Sequence, residues 1–175
     1  MDKQAIAAIL NSKKISLFDP PAIAANSFNG SIIDAVIHYF TLNDWSCDRE
    51  EVNLLHSNFQ IDGDRWDCYI QSFEEQGRLL IYSILPVIAA RDTLAAILEL
   101  TARINYETAI GSFDLDCDTG FIAYKTSIDI KNSHLDLALI RNLLQANTET
   151  LVYYLPAFRA IIEGKNSPLE VITHY

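Results

Sequence analysis

Apolar and polar positions alternate along this chain in two distinct periods, and each period predicts its own element. Phe113, Leu115 and Cys117 alternate with Ser112, Asp114 and Asp116. A period of two marks a half-buried strand with its aspartates in water. Asp118-Thr119-Gly120 is a turn signal, because Gly tolerates a positive φ and Asp bonds its own backbone. A second strand comes next, with Ile122, Tyr124 and Ile128 against Ala123, Lys125 and Ser127. A two-residue loop at Thr119-Gly120 would set Leu115 opposite Tyr124, Cys117 opposite Ile122 and Asp114 opposite Lys125. A bulged turn would shift that register by one.

Three further strands are expected between residues 52 and 85. The first runs from Val52 to Ile61 with an irregular pattern, and Asp62-Gly63-Asp64 turns the chain. The second, Arg65 to Phe73, sets Trp66, Cys68 and Ile70 against Asp67, Tyr69, Gln71 and Phe73. The third, Arg78 to Leu85, is apolar on both faces, so it is central or covered twice, and Pro86 is expected to end it.

Helical spacing appears elsewhere. Ser31 to Leu42 carries Ile32, Ile33, Val36, Ile37 and Phe40 on one stripe, with Asn29 or Ser31 as cap. Trp45 comes after it as a packing anchor. Asp92 to Asn105 carries Leu94, Ile97, Leu98, Thr101 and Ile104, with Glu99 and Arg103 as an i,i+4 pair on the wet side. Ser133 with Asp136 predicts a capping box opening a third helix through Leu144. Thr148 or Thr150 is expected to cap a further helix to Ile162, kinked at Pro156 and stopped by Gly164. At the N-terminus, Asp2 to Leu10 has helical spacing, and Asp19-Pro20-Pro21 breaks the regular structure of the segment from Lys13 to Asn29. The reading is an arm over 1–28, one domain over 29–164 and a tail over 165–175.

With 175 residues, half of them hydrophobic, the chain suits a single globular domain. A net charge of −10 opposes binding to nucleic acid, and no Lys/Arg cluster extends beyond Lys13-Lys14. The odd, widely spaced Cys47, Cys68 and Cys117 read as small buried hydrophobes in a reducing cytoplasm. Neither a signal peptide nor a membrane-spanning run is visible.

Candidate chemistry is sparse. Asp114, Asp116 and Asp118 imitate the first positions of a calcium loop, but Thr119 stands where Gly is needed and Lys125 where Glu is needed. His38, His56, His134 and His174 lack neighbours at ligand spacing. No phosphate loop, dinucleotide fingerprint or nucleophile elbow occurs, so no catalytic, cofactor or metal residue is assigned. Arg65, Asp67 and Arg78 form the one polar group that would suit a small-molecule sensor or an uncharacterised enzyme.

The order α-β-β-β-α-β-β-α predicts an α+β domain with a five-stranded, mostly antiparallel sheet and helices packed on it. That order resembles the type III secretion chaperone-like fold. The residues resemble the YbjN domain family of bacterial sensory transduction regulators. Carrying features are Asp44-Trp45, Leu85-Pro86, Ile104-Asn105-Tyr106, Ile110-Gly111-Ser112-Phe113-Asp114-Leu115 with Asp118-Thr119-Gly120, and Tyr154-Leu155-Pro156-Ala157-Phe158 with Ile161-Ile162-Glu163-Gly164. The resemblance spans Ser31 to Gly164, and the extra N-terminal segment suits a cyanobacterial-type member. It implies a cytoplasmic, homodimeric protein-binding module with an unknown protein partner and no established catalytic residue. The sheet aromatics Tyr69, Phe73 and Tyr82 are the candidate interaction surface. The competing reading is that the N-terminal arm or a twin subunit covers them.

Overall fold

A computed structural model of the chain describes residues 30–131, 133 and 135–173. The expected Asp2–Leu10 helix, the proline connector, His134 and His174 lie outside the described residues. The chain runs α1 (Ile32–Leu42), β1 (Asp48–Glu51), β2 (Leu54–Ile61), β3 (Asp64–Phe73), β4 (Arg78–Ile88), α2 (Leu94–Glu107), β5 (Ser112–Leu115), β6 (Phe121–Asp129), α3 (Leu137–Ile162) and α4 (Pro168–Ile172). The strands form one antiparallel sheet in the order β1-β2-β3-β4-β6-β5.

The architecture is α+β as expected, but the sheet has six strands and not five. The additional strand is Asp-Arg-Glu-Glu, exposed throughout, so no apolar period announces it. The expected strand from Val52 instead begins at Leu54. Val52 and Asn53 form the tight turn between Glu51 and its partner Leu54.

The β2–β3 turn arises from local chemistry. Asp62 and Gly63 both have positive φ, 53° and 89°, between the paired residues Ile61 and Asp64. Two successive positive φ values give a turn whose twist matches the strands it joins.

Strand β4 does not end at Pro86 but continues to Ile88. The pairing with β6 shifts between Ile84 and Ile88, and Pro86 sits exposed in that irregularity, where a missing N–H costs no ladder bond.

The β5–β6 hairpin pairs Phe113 with Tyr124 and Leu115 with Ile122, two residues from the register expected for a two-residue loop. The cause is Asp116. Its carboxylate accepts from the N–H groups of Asp118 and Thr119 and from the Thr119 hydroxyl, which builds a longer turn. Those bonds hold its pKa below the usual carboxylate value. A shift of two preserves the faces, so Phe113 and Tyr124 still point inward. Gly120 closes the turn at φ 78°, and a Cβ there would lie 2.2 Å from the Ala89 carbonyl oxygen.

The described helices pack on one face of the sheet. Ser31 caps α1, and its first N–H groups at Ile32 and Ile33 also donate to the Glu74 carboxylate at 3.0 and 3.2 Å. A remote anion at a helix N-terminus fixes that end against the β3–β4 turn. Trp45 packs edge-on against Tyr39, Phe40 and Phe59, the anchor its position predicts. In α2, Ile97, Leu100, Thr101 and Ile104 are buried; Leu98 is exposed, and Leu100 takes its place in the stripe. Glu99 and Arg103 form the expected pair at 2.6 Å.

The two C-terminal helices expected from the sequence are one, 26 residues long. Asp136 is its N-cap, accepting from Leu139 N–H, with no break at Thr148 or Thr150. Asn147 and Thr148 are both buried, because this part of α3 crosses β4 and β6. The Asn147 side-chain nitrogen donates to the Ile81 and Tyr124 carbonyls at 3.2 and 3.0 Å and to the Thr126 hydroxyl at 3.2 Å. Further along, Arg159 grips Asp64 through two bonds of 2.9 and 2.5 Å, and tethers α3 to the β2–β3 turn. The helix continues through Pro156 and ends at Gly164. There Lys165 N–H bonds Ala160 and Gly164 N–H bonds Ile161, the paired bonds of a left-handed C-terminal cap. Pro168–Ile172 adds a short helix with a capping box at Ser167 and Glu170, and it buries Val171.

The cysteines divide three ways. Cys68 is fully buried, Cys47 is half-buried, and Cys117 is exposed in the β5–β6 turn. Cys117 therefore departs from the expectation of a buried hydrophobe: the shifted register removes it from the strand. Burial pushes the Cys68 thiol up to about 12.

This architecture sets three expected outcomes. Asn147→Ala should cost about 2 kcal/mol, and Asn147→Asp more, about 4, because it aims a carboxyl at two carbonyl oxygens. Burial raises the folded pKa of that introduced carboxyl. The penalty should therefore grow as pH rises above the unfolded value of about 4, in urea titrations at two pH values. Gly120→Ala should lower stability in urea by roughly 2 kcal/mol or more, from the left-handed φ and the carbonyl clash together. With a thiol-specific chromophore at pH 8, Cys117 should react fastest, Cys47 more slowly and Cys68 only on unfolding.

Candidate functional site

The inner and outer faces of the sheet differ in kind. Trp66, Cys68, Ile70, Leu79, Ile81, Leu85, Phe113, Ile122 and Tyr124 join the helices in a single core. The alternate residues face the other way. Tyr69 and Tyr82 are direct cross-strand partners, with Leu80 and Gln71 paired beside them and Phe73 paired with Arg78. Tyr69, Phe73, Leu80, Tyr82 and Ile84 are all half-buried, yet none belongs to the core or packs against it. The stripe continues to the paired residues Ile88 and Phe121, which are 53% and 48% exposed.

The candidates Tyr69, Phe73 and Tyr82 therefore lie on one continuous surface. The sequence reading missed Leu80, Ile84, Ile88 and Phe121 as members. Their signal was parity with Tyr82 along β4, and extending that strand past Pro86 would have added Ile88.

Two ion pairs and a histidine–carboxylate hydrogen bond flank this apolar stripe. Lys125 meets Asp114 at 2.6 Å, Arg78 meets Asp129 at 3.3 Å, and His56 meets Asp67 at 2.8 Å. Asp114 raises the pKa of Lys125, first through the hydrogen bond it accepts. The Lys131 N–H, then Arg78, lower that of Asp129. His56 also stacks on Tyr69 with centroids 4.8 Å apart. An apolar centre with a charged rim is the layout of an interaction surface.

The sheet edges are closed by other means. Asn105 donates to the Phe113 carbonyl at 2.9 Å and accepts the Phe113 N–H at 2.8 Å, so its amide occupies the outward backbone of β5. At the opposite edge, β1 is four charged residues with an irregularity between Arg49 and Glu51. Short, charged or irregular edges resist the addition of a further strand.

The proposed polar group does not converge. Arg65 bonds Asn58, Asp67 bonds His56 and Arg78 bonds Asp129. Arg78 pairs with Phe73, six positions along β3 from Asp67, or about 20 Å. Asp114 and Asp116 are engaged with Lys125 and with the turn amides, so the calcium-like spacing encloses no common point. Among the described residues no group of three or more His, Cys, Asp or Glu is placed to hold a metal ion. No described helix is long and apolar enough to cross a membrane.

Comparison with known proteins gives a family and a fold. The crystal structure of YbjN, a "putative transcription regulator" from E. coli, superimposes with a TM-score of 0.56 at 13% identity, covering 78% of this chain and 96% of that one. The HopA1-SchA chaperone-effector complex matches with a TM-score of 0.47 at 16% identity, covering 71% and 92%. The ExoT-SpcS complex from Pseudomonas aeruginosa matches with a TM-score of 0.44 at 16% identity, covering 70% and 96%. No curated protein sequence matches significantly. Residues 33–160 match the family model YbjN, described as "Putative bacterial sensory transduction regulator", and the chain belongs to that family.

Proposed function

We propose that this protein is a non-enzymatic adaptor, chaperone-like in its mode of action, that holds a protein partner on the outer face of its sheet. The observation that carries the reading is the stripe from Phe73 through Leu80, Tyr69, Tyr82 and Ile84 to Ile88 and Phe121, which no described core residue covers. Both edges are blocked, so recognition uses side chains on the face and not an added strand. Aromatic rings suit that role, because they contribute large contact area with few torsions to freeze. The reading includes a cytoplasmic setting and self-association of two copies through the same face, with an unidentified partner protein as the alternative occupant.

Tyr82→Asp tests this directly. Tyr82 is half-buried, and Lys125 beside it would pair with the new carboxylate, so the change should cost only about 1 kcal/mol of stability. Light scattering over a concentration series should show the native dimer, or a stoichiometric partner retained in pull-down, weakened at least tenfold by Tyr82→Asp and by Tyr69→Asp. Ile81→Asp, one residue along but facing the core, should instead unfold the chain. A monomer whose captured proteins are unchanged by either tyrosine substitution would refute the reading.

A further inference from the structure

A separate concavity lies in the helical layer, between α3 and the loop that leads into β5. It is an open groove of about 460 Å³. Ala146, Glu149, Thr150, Tyr153 and Tyr154 form one wall at helical spacing, and Thr108, Ala109 and Ile110 form the other. The volume falls within the usual range for small-molecule sites, and the lining is mostly apolar.

Two features set its chemistry. The first is charge. Glu149 is the only ionisable carboxylate in the lining, and no Lys or Arg is present there. Its Oε1 accepts from Gln145 at 2.8 Å, which orients the group and leaves its charge uncompensated by that partner. The second is aromatic structure. Tyr153 and Tyr154 meet edge to face with centroids 4.9 Å apart, and Tyr154 is braced in turn by Phe113 at 5.9 Å. The buried Tyr124 phenol donates to the Ile110 carbonyl, which ties the loop wall of the groove to β6 before any ligand arrives.

We infer that this groove binds a small organic ammonium compound, its apolar body on the tyrosines and its cationic head toward Glu149. Aromatic rings attract cations through their negative faces, and a carboxylate in an apolar lining favours a cation over a neutral or anionic head. The −10 charge of the whole chain acts in the same direction. This site is distinct from the outer sheet face and stands whether or not that face binds protein.

The test uses the full chain at pH 7.5 with 2-phenylethylamine as probe, followed by calorimetry and saturation-transfer NMR. 2-Phenylethanol and phenylacetate serve as neutral and anionic matches of the same shape. The amine should bind about tenfold more tightly than the alcohol, the equivalent of about 1.4 kcal/mol, and phenylacetate more weakly than either. Glu149→Gln keeps the shape and should reduce the amine to the level of the alcohol. Ala146→Leu narrows the groove without touching the carboxylate and should weaken both, so a poorly folded first variant does not decide the result. Equal affinity for amine and alcohol, indifference to Glu149→Gln, or no amine binding at tens of millimolar would each overturn the proposal. Binding only of a lysine-containing peptide, and not of the free amine, would also overturn it, because that outcome assigns the groove to a protein partner.

Discussion

The fold depends on how one long helix sits across the middle of the sheet. Helix α3 crosses β4 and β6, and at that crossing it buries Asn147 among apolar neighbours. Apolar packing alone would let such a helix slide by a turn with little loss, since Leu and Ile recur along it. Asn147 removes that freedom. Its amide nitrogen meets two strand carbonyls and the Thr126 hydroxyl together, which is possible at a single position and rotation. Ser72, Ser83 and Thr148 bury hydroxyl groups in the same inner layer. Those hydroxyls have no hydrogen-bond partner among the described residues, so the positional constraint comes from the paired Asn147 amide nitrogen, which any other arrangement would leave unpaired. Arg159 on Asp64 then fixes the far half of the helix to the sheet's other end.

With the described helices committed to one face, the opposite face is left without a described helix. Strand β4 lies at the centre and must be apolar on both sides to sit there, so its outward residues Leu80, Tyr82 and Ile84 are apolar too. The edges show a different treatment. Asn105 reaches from the end of α2 to bind the backbone of Phe113, and β1 consists of charged residues. Edge backbone is the usual hazard for unwanted strand pairing. With both edges closed, the outer face presents side chains and not free backbone.

Much of this was legible one residue at a time. Period-two alternation located β3 and β6, a run apolar on both faces located β4, and Asp62-Gly63 identified its own turn. The errors share a physical origin: contacts distant in sequence overrode local signals. Thr148 and Thr150 resemble helix caps in one dimension, but the helix runs through both, and the neighbouring Asn147 bonds the sheet. Pro86 resembles a strand end, but a bulge absorbs it. β1 carries no apolar period, because a charged edge strand is held by backbone bonds alone. The β5–β6 register moved by two because Asp116 commits its carboxylate to the turn. Tyr69, Phe73 and Tyr82 could be read as outward-facing from parity. The groove at Glu149 could not, since its walls come from segments about forty residues apart and meet only in the fold.

The loop wall of the groove and the outer face both meet strand β6. Tyr124 points inward and its phenol donates to the carbonyl of Ile110, which lines the groove. Its neighbours Ala123 and Lys125 point outward, where Lys125 pairs with Asp114 at the rim of the apolar stripe. A ligand that displaced Tyr124 would have to move the strand carrying both. Gly111 permits this close approach of loop and strand, since a Cβ there would lie 2.6 Å from the Lys125 carbonyl oxygen and 2.8 Å from the Tyr124 hydroxyl. Any energetic coupling that acts through this contact is, by linkage, equal in both directions.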